Sequence, residues 1–322
     1  MRTLITGGAG FIGSSLSEKL LNMGHDVCIL DNLSTGRYEN IEHLLNNKNF
    51  EFVEGNILDV ILVDKLVEKV DSIFHLAAAV GVDLIVKKPL ESLTTNIKGS
   101  EIVLDAALRY RKKILIASTS EIYGKNANGP LKEDDDRILG SPLKTRWGYS
   151  TAKAVDEMLA HIYWKEKKLP TIIVRLFNTA GPRQTGAYGM VIPRFVSQAL
   201  KNEPITVYET GKQSRCFLHV KDAINALIKL IKEPGAVGEV FNIGSQEEIT
   251  IEQLAREIIR ITKSNSKIEY IPYEKAYGEG FEDMQRRVPD ITKINKLIGF
   301  KPTYTLPEII EDIVKYLKNT KS

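Results

Sequence analysis

Cysteine is nearly absent from this chain: 322 residues contain two, Cys28 and Cys216. Cys28 lies in an apolar, strand-like run, so buried free thiols are expected rather than a disulfide, and the pair suits a reducing cytosol. Also missing is any run of about 18 apolar residues, the length a membrane-spanning helix needs. Met1 leads straight into a strand pattern, so no secretory leader is expected. Charge of one sign is not in excess: 44 basic side chains against 41 acidic ones leave +3. That balance argues against a nucleic acid or a membrane surface as partner, and any anion site must be built locally. No internal repeat, low-complexity stretch or metal centre is expected. What is present, 43% hydrophobic and 26% charged, is the composition of an ordinary globular protein. The length allows a large core and two lobes.

The amino-terminal stretch Arg2 to Thr6 reads as a short apolar strand, followed by Gly7-Gly-Ala-Gly10-Phe11-Ile12-Gly13 and a helix pattern over Ser14 to Met23. Strand, glycine turn and helix start form the context that a dinucleotide-binding fingerprint requires. Gly7 permits the tight turn, Gly10 lets backbone N–H groups approach a pyrophosphate, and Gly13 permits close helix–strand packing. The helix N-terminus adds positive potential for phosphates. The next strand, Asp26 to Leu30, ends at Asp31, with Asn32 beside it. A carboxylate there accepts ribose hydroxyls and repels a 2′-phosphate, which favours NAD. Arg37, six residues on, offers a phosphate contact and keeps NADP in view.

Strand and helix patterns then alternate: Phe50–Glu54, Val60–Val70, Ser72–Leu76, Leu90–Arg109, Ile114–Ala117, a helix over Arg146–Lys168, and Thr171–Phe177. This order predicts an α/β fold, a doubly wound parallel (Rossmann) sheet with right-handed crossovers. Small residues stand where the strands end: Asn56, then Ala77 and Ala78 after Leu76, then Ser118, Thr119 and Ser120. Ligands bind outside the carboxyl ends of such strands, so these segments should line the site. His75, inside an apolar run, reads as a hydrogen-bonded core histidine. Beyond Asn178 come a loop over 180–189, helices near 192–201, 221–232, 250–262, 292–298 and 307–317, and strands near 205–208, 239–243 and 268–271. Residues 1–178 are therefore expected to form the NAD-binding domain. Segments near 216–245 should return to it, and 179–322 should be mainly a smaller substrate-binding lobe. Thr250 with Gln253 has the spacing of a capping box.

Tyr149 and Lys153 stand four residues apart at the start of the helix after 146, so they share a face. A neighbouring ammonium stabilises phenolate, which would bring Tyr149 down towards use as a base.

Taken in order, Thr6–Gly13, His75-Leu-Ala-Ala78, Ser118–Gly124, Tyr149-x-x-x-Lys153, Arg175-Leu-Phe-Asn178 and Gly181-Pro-Arg183 resemble the extended short-chain dehydrogenase/reductases, in their nucleotide-sugar epimerase and dehydratase branch. The likeness covers almost the whole chain. It implies a tightly bound, recycled NAD that oxidises a sugar hydroxyl, usually at C4, and returns the hydride. Thr119 matches the residue that bonds the sugar oxygen, Tyr149 the base, and Lys153 the holder of the nicotinamide ribose. Asn56, before Ile57, replaces an aspartate that usually stands near the adenine.

Within that family the chain looks closest to the UDP-glucuronate decarboxylases. It shares Thr119-Ser120-Glu121, Arg146 and Arg287-Val-Pro289 with them. The segments Gly211–Phe217 and Tyr277–Asp283 look like those of the lipid A-modifying decarboxylase. Dehydratases place an acid where Ser120 stands. Oxidising C4 of a glucuronate makes its carboxylate a β-keto acid, and arginine forks are the natural carboxylate holders. The resemblance thus gives Arg146 and Arg287 to the carboxylate side and Glu121 to proton or water handling near C5. Asn178, Arg194, Tyr208 and Arg215 match positions that hold the diphosphate and base, with UDP favoured. A UDP-hexose or UDP-glucuronate 4-epimerase is the alternative, ahead of a 4,6-dehydratase or a non-catalytic dinucleotide-binding module. The long helices 90–109 and 146–168 carry apolar residues on more than one face, as in relatives that pair as C2 dimers.

Overall fold

Seven short apolar strands pair edge to edge in the computed structural model, which describes residues 1–79, 89–186, 190–277 and 282–320. They are β1 (Arg2–Thr6), β2 (Asp26–Asp31), β3 (Phe50–Glu54), β4 (Ser72–His75), β5 (Lys113–Thr119), β6 (Thr171–Leu176) and β11 (Val240–Ile243). All run parallel, in the order β11-β6-β5-β4-β1-β2-β3. Successive side chains of a strand point to opposite faces, and a parallel sheet covers both with helices. Ile5, Ile29, Phe74 and Leu115 therefore meet α1 (Phe11–Asn22), α6 (Val220–Lys232) and α9 (Thr292–Ile298). Their neighbours Leu4, Cys28, Ile73 and Ile114 meet α2 (Val60–Glu68), α3 (Pro89–Arg109) and α4 (Gly148–Lys167). Both cysteines are buried and free.

A separate apolar core joins α5 (Val191–Leu200), α7 (Ile251–Thr262) and α10 (Leu306–Asn319) with β8 (Ile205–Tyr208) and its parallel partner β13 (Ile268–Ile271). A single-turn helix, α8 (Tyr273–Tyr277), follows β13. The capping box of Thr250 and Gln253 is in place. Very short strands complete this part: β7 (Thr179–Ala180) with β10 (Leu218–His219), and β9 (Ser214–Cys216) between β12 (Glu248–Thr250) and β14 (Arg286–Arg287). Strands of two or three residues carry no readable periodicity, and the sequence pattern missed them. Two helix starts also differ from the pattern. The first helix begins at Phe11, because Ser14 N already donates to Gly10 O at 3.0 Å. The helix that carries Tyr149 begins at Gly148, after a single 3-10 turn over Thr145–Trp147. The last residues of the expected 180–189 loop (187–189), and 278–281 of the Tyr277–Asp283 segment, lie outside the described residues.

One buried ionic network fastens the sheet to α4. Arg175 on β6 donates to both carboxylate oxygens of Glu157, at 2.9 and 2.8 Å, and to Tyr123 Oη at 2.9 Å. Tyr123 in turn donates to Asn242 on β11 at 2.7 Å. Removing one partner leaves an uncompensated buried charge. Glu157→Ala should therefore lower unfolding stability by about 3 kcal/mol, read as the shift of the denaturation midpoint. His75 is a core histidine: Nδ1 pairs with Thr6 Oγ1 at 2.8 Å and Nε2 with Ser100 Oγ at 3.0 Å. Burial, then nearby Lys153, pushes its pKa down to about 3. An unfolded histidine takes its proton near about 6.5, so below that pH the unfolded chain binds a proton the native one refuses. Stability should fall by about 1.4 kcal/mol per pH unit from this residue as pH drops from 6 towards 4. Acid titrations of unfolding in His75→Gln should lose that component of the slope.

Candidate active site

The carboxyl ends of β1, β2, β4, β5 and β6 open on one crevice of about 720 Å³, which continues onto β8, β9 and β14 of the second core. At its start the chain turns at Gly7, where φ is +71° and a Cβ would lie 2.8 Å from Ala77 N, so only glycine fits. A Cβ on Gly13 would lie 2.2 Å from Gly7 O. These two glycines let the start of α1, which has no side-chain cap, lie against the end of β1, and its first residues line the cavity, where a helix N-terminus suits an anion. Gly10, Phe11, Ile12, Asp31, Asn32, Asn56, Ile57, Leu76, Ala77 and Ala78 line the same part. Asp31 is fixed by Ala9 N at 2.9 Å and Leu33 N at 2.8 Å. Burial raises its pKa, partly offset by those two amides. Asn56 Oδ1 accepts from Leu58 N at 3.0 Å. Arg37 also reaches the wall and sits 3.5 Å from Glu39 in an exposed pair.

Farther along, β5 runs into a 3-10 turn, Ser120–Tyr123, that is tied to the first turn of α4 by Ser150 Oγ donating to Glu121 O at 2.8 Å. Thr119, Ser120, Glu121 and Tyr149 therefore share one wall. Parallel pairing of β14 with β9 sets Arg287 beside Arg215. Arg146, in the turn before α4, forks onto Glu121 at 2.6 and 3.3 Å. Arg215 donates to Asp283 at 2.9 Å, and Asp283 lies 3.5 Å from Arg146. Arg287 donates to Ser120 Oγ at 3.1 Å and approaches Glu121 to 3.9 Å. All five charged side chains are at most 17% exposed. Burial and neighbouring Arg215 lower Arg287 to about 10. Burial would raise Glu121, but Arg146 and Arg287 outweigh it and hold the carboxyl below its usual range.

Every expected site residue except one reaches this cavity, including Asn178, Arg194, Tyr208, Arg215 and Arg287. The exception is Lys153. It is 2% exposed, lies behind the wall, and gives its ammonium to Asp156 at 2.7 Å. The protein groups around Tyr149 do not by themselves supply its expected lowering. Burial, then the Glu121 and Asp156 carboxylates, push the phenol above its ordinary value. The spacing placed Tyr149 and Lys153 on one face correctly, but it did not register that Asp156 shares that face. Asp283 and Arg183, quoted above only within motifs, and Gln184 also line the cavity, without having been given a site role. Arg194 lies over the Tyr208 ring, 4.2 Å from its centroid. Several buried polar atoms around the cavity have no hydrogen-bond partner among the described residues: Ser118 Oγ, Arg183 Nη1, Gln184 Oε1, Arg194 Nε and Arg287 Nε. Orphaned buried donors and acceptors concentrated along one cavity mark a site shaped for polar ligands. The glycine turn, the bare helix start and Asp31 fit a dinucleotide such as NAD at one end.

Comparison with known proteins agrees with this geometry. The family model described as GDP-mannose 4,6 dehydratase matches residues 4–313. A UDP-N-acetyl-alpha-D-glucosaminuronate decarboxylase of Bacillus cytotoxicus is 41% identical over 322 residues, covering 100% of this chain and 99% of that one. UDP-glucuronic acid decarboxylase 1 of Danio rerio is 36% identical over 315 residues, 98% of this chain and 72% of the relative. Among solved structures, the UDP-glucuronic acid 4-epimerase of Bacillus cereus, in complex with UDP-glucuronic acid and NAD, superposes with a TM-score of 0.89 at 29% identity, covering 99% and 100% of the two chains. The chain is thus an enzyme of the GDP-mannose 4,6-dehydratase family, within the extended short-chain dehydrogenase/reductases.

Proposed function

We propose that this enzyme decarboxylates a UDP-hexuronate through a 4-keto sugar, with UDP-glucuronate as the substrate. The observation that carries the reading is the charge balance at the sugar end of the cavity. There Arg146, Arg215 and Arg287 share two carboxylates, Glu121 and Asp283, so positive charge exceeds negative by one within that cluster. Excess charge in a buried place is expensive, and one further carboxylate beside Arg287 would balance it. A neutral hexose offers no such group. The two named decarboxylase relatives act on uronates that differ at C2 and share the C6 carboxylate. Ser120 accepts from Arg287, so the position where dehydratases place an acid here serves a carboxylate holder.

In this reading Gly7, Gly10, Gly13 and the start of α1 hold the pyrophosphate of NAD, and Asp31 holds the adenosine ribose. Arg194 faces the UDP diphosphate, with Arg215, Tyr208 and Asn178 beside it. Thr119 bonds the sugar O4, and Tyr149 takes its proton. NAD, when bound, would supply the acceptor and donor for the C4 hydride and a positive ring that would favour the phenolate. With C4 a ketone, the C6 carboxylate becomes a β-keto acid whose C5–C6 electrons flow into the carbonyl as CO₂ departs. Arg146 and Arg287 orient that carboxylate bidentately, and Glu121, with the water it orders, passes a proton to C5. We also place the protein in the reducing cytosol as a homodimer with NAD retained between turnovers. Exposed Leu90, Met158 and Ile162 on α3 and α4 supply an apolar face for a partner copy.

Incubation with UDP-glucuronate, and with its 2-acetamido analogue, should yield a product lighter than its substrate by one CO₂. A product of unchanged mass with inverted C4 would instead establish 4-epimerisation, the reaction of the Bacillus cereus neighbour. Tyr149→Phe should keep NAD affinity and lose turnover by about a thousandfold. An unaltered rate would remove the phenol from the chemistry.

A further inference from the structure

We propose that Asp283 is a positioning residue that sets how much positive charge meets the sugar carboxylate. By occupying Arg215 and Arg146 it leaves a surplus of one, enough to hold the carboxylate and too little to trap it as CO₂ departs. The inference rests on the uronate reading of the sugar end of the cavity. Asp283 lines that cavity and its side chain is 17% exposed. Its Oδ2 accepts from Arg215 Nη2 at 2.9 Å and from Tyr273 Oη at 3.2 Å, and its Oδ1 lies 3.5 Å from Arg146 Nη2. Tyr273, on α8, is met in turn by Gln213 Nε2 at 3.4 Å. Burial alone would raise the Asp283 carboxyl, but Arg215, Arg146 and Arg287 outweigh it and hold it below its ordinary range, so it carries its charge at neutral pH.

Two carboxylates divide the three arginines between them. Glu121 serves Arg146 at 2.6 Å and Arg287 at 3.9 Å. Asp283 serves Arg215 and Arg146, and so stands between the arginine beside the diphosphate and one that orients the sugar carboxylate. Without its charge the three guanidinium groups would share Glu121 alone, and the surplus would rise from one to two. Decarboxylation makes that count matter. Breaking the C5–C6 bond turns the C6 carboxylate into neutral CO₂ and passes the electron pair through C5 into the C4 carbonyl; a proton then joins C5. Negative charge thus leaves the arginine end and appears at O4. Positive charge held at C6 stabilises the bound substrate more than the transition state, and only interactions that strengthen in the transition state accelerate the step. A surplus of one orients the carboxylate, whereas a second unit would deepen the ground state.

The test replaces the carboxylate by the amide of the same shape. Asp283→Asn should lower both KM for UDP-glucuronate and kcat, each by about tenfold. Calorimetric binding of UDP-glucuronate and of UDP-glucose, in the Tyr149→Phe background so that no turnover intervenes, isolates the carboxylate, because effects on the shared diphosphate cancel in the ratio. The preference for the uronate should widen by about tenfold when Asp283→Asn is added. A residue that only braces the pocket would raise KM and narrow the preference; either result, or an unmoved ratio, overturns the proposal. Asp283→Glu keeps the charge one methylene farther out and should hold the native preference. A widened preference there overturns the proposal even if the amide variant does not fold. Should the pocket with Asp283 intact bind UDP-glucose as tightly as UDP-glucuronate, the uronate reading itself fails. Should it prefer the uronate while Asp283→Asn leaves the ratio unmoved, only the role of Asp283 fails.

Discussion

A parallel sheet has no face left for water, and that constraint organises the rest of this molecule. Adjacent residues such as Leu4 and Ile5, or Ile73 and Phe74, are buried on opposite sides under different helices. Polar groups within the sheet need partners inside it, as Arg175, Asn242 and His75 have, and the others gather where the strands stop. Between β1 and β4 the connections leave in opposite directions, and the gap this opens is the start of the cavity. The glycine turn is the local consequence: α1 can lie directly against the end of β1 only because residues 7 and 13 carry no side chain.

The second core has a different task. Its small sheet is too short to add much burial, yet it sets the register that brings Arg215 and Arg287 side by side. Two adjacent guanidinium groups in a buried place repel each other, and carboxylates from two other segments, Glu121 and Asp283, hold them together. Arginine suits this arrangement better than lysine because it keeps its charge when desolvated and its fork can serve two partners at once. The result is a preorganised pocket of nearly balanced charge, rigid because each member is held by another.

Tyr149 shows how the same burial works against a catalytic group. With protein groups alone around it, desolvation and two carboxylates favour the neutral phenol. The Lys153 ammonium, one helical turn along, is bound to Asp156. The helix thus stores opposing charges in line, and the phenol's acidity depends on their balance rather than on one neighbour.

The fold was legible in the sequence because it rests on local regularities. Apolar runs of four to seven residues ending at small residues marked the strands of the main sheet, and the glycine spacing marked the turn that opens the cavity. Tyr149 and Lys153 were legible as a pair because helical spacing alone puts them on one face. What only the tertiary structure decided is the partner of each charge. Asp156 rather than Tyr149 holds Lys153, Asp283 rather than open solvent meets Arg215, and Arg287 reaches Ser120 across 167 residues of chain. Such pairings depend on strand register and burial between segments distant in the chain, and no local pattern of residues encodes them.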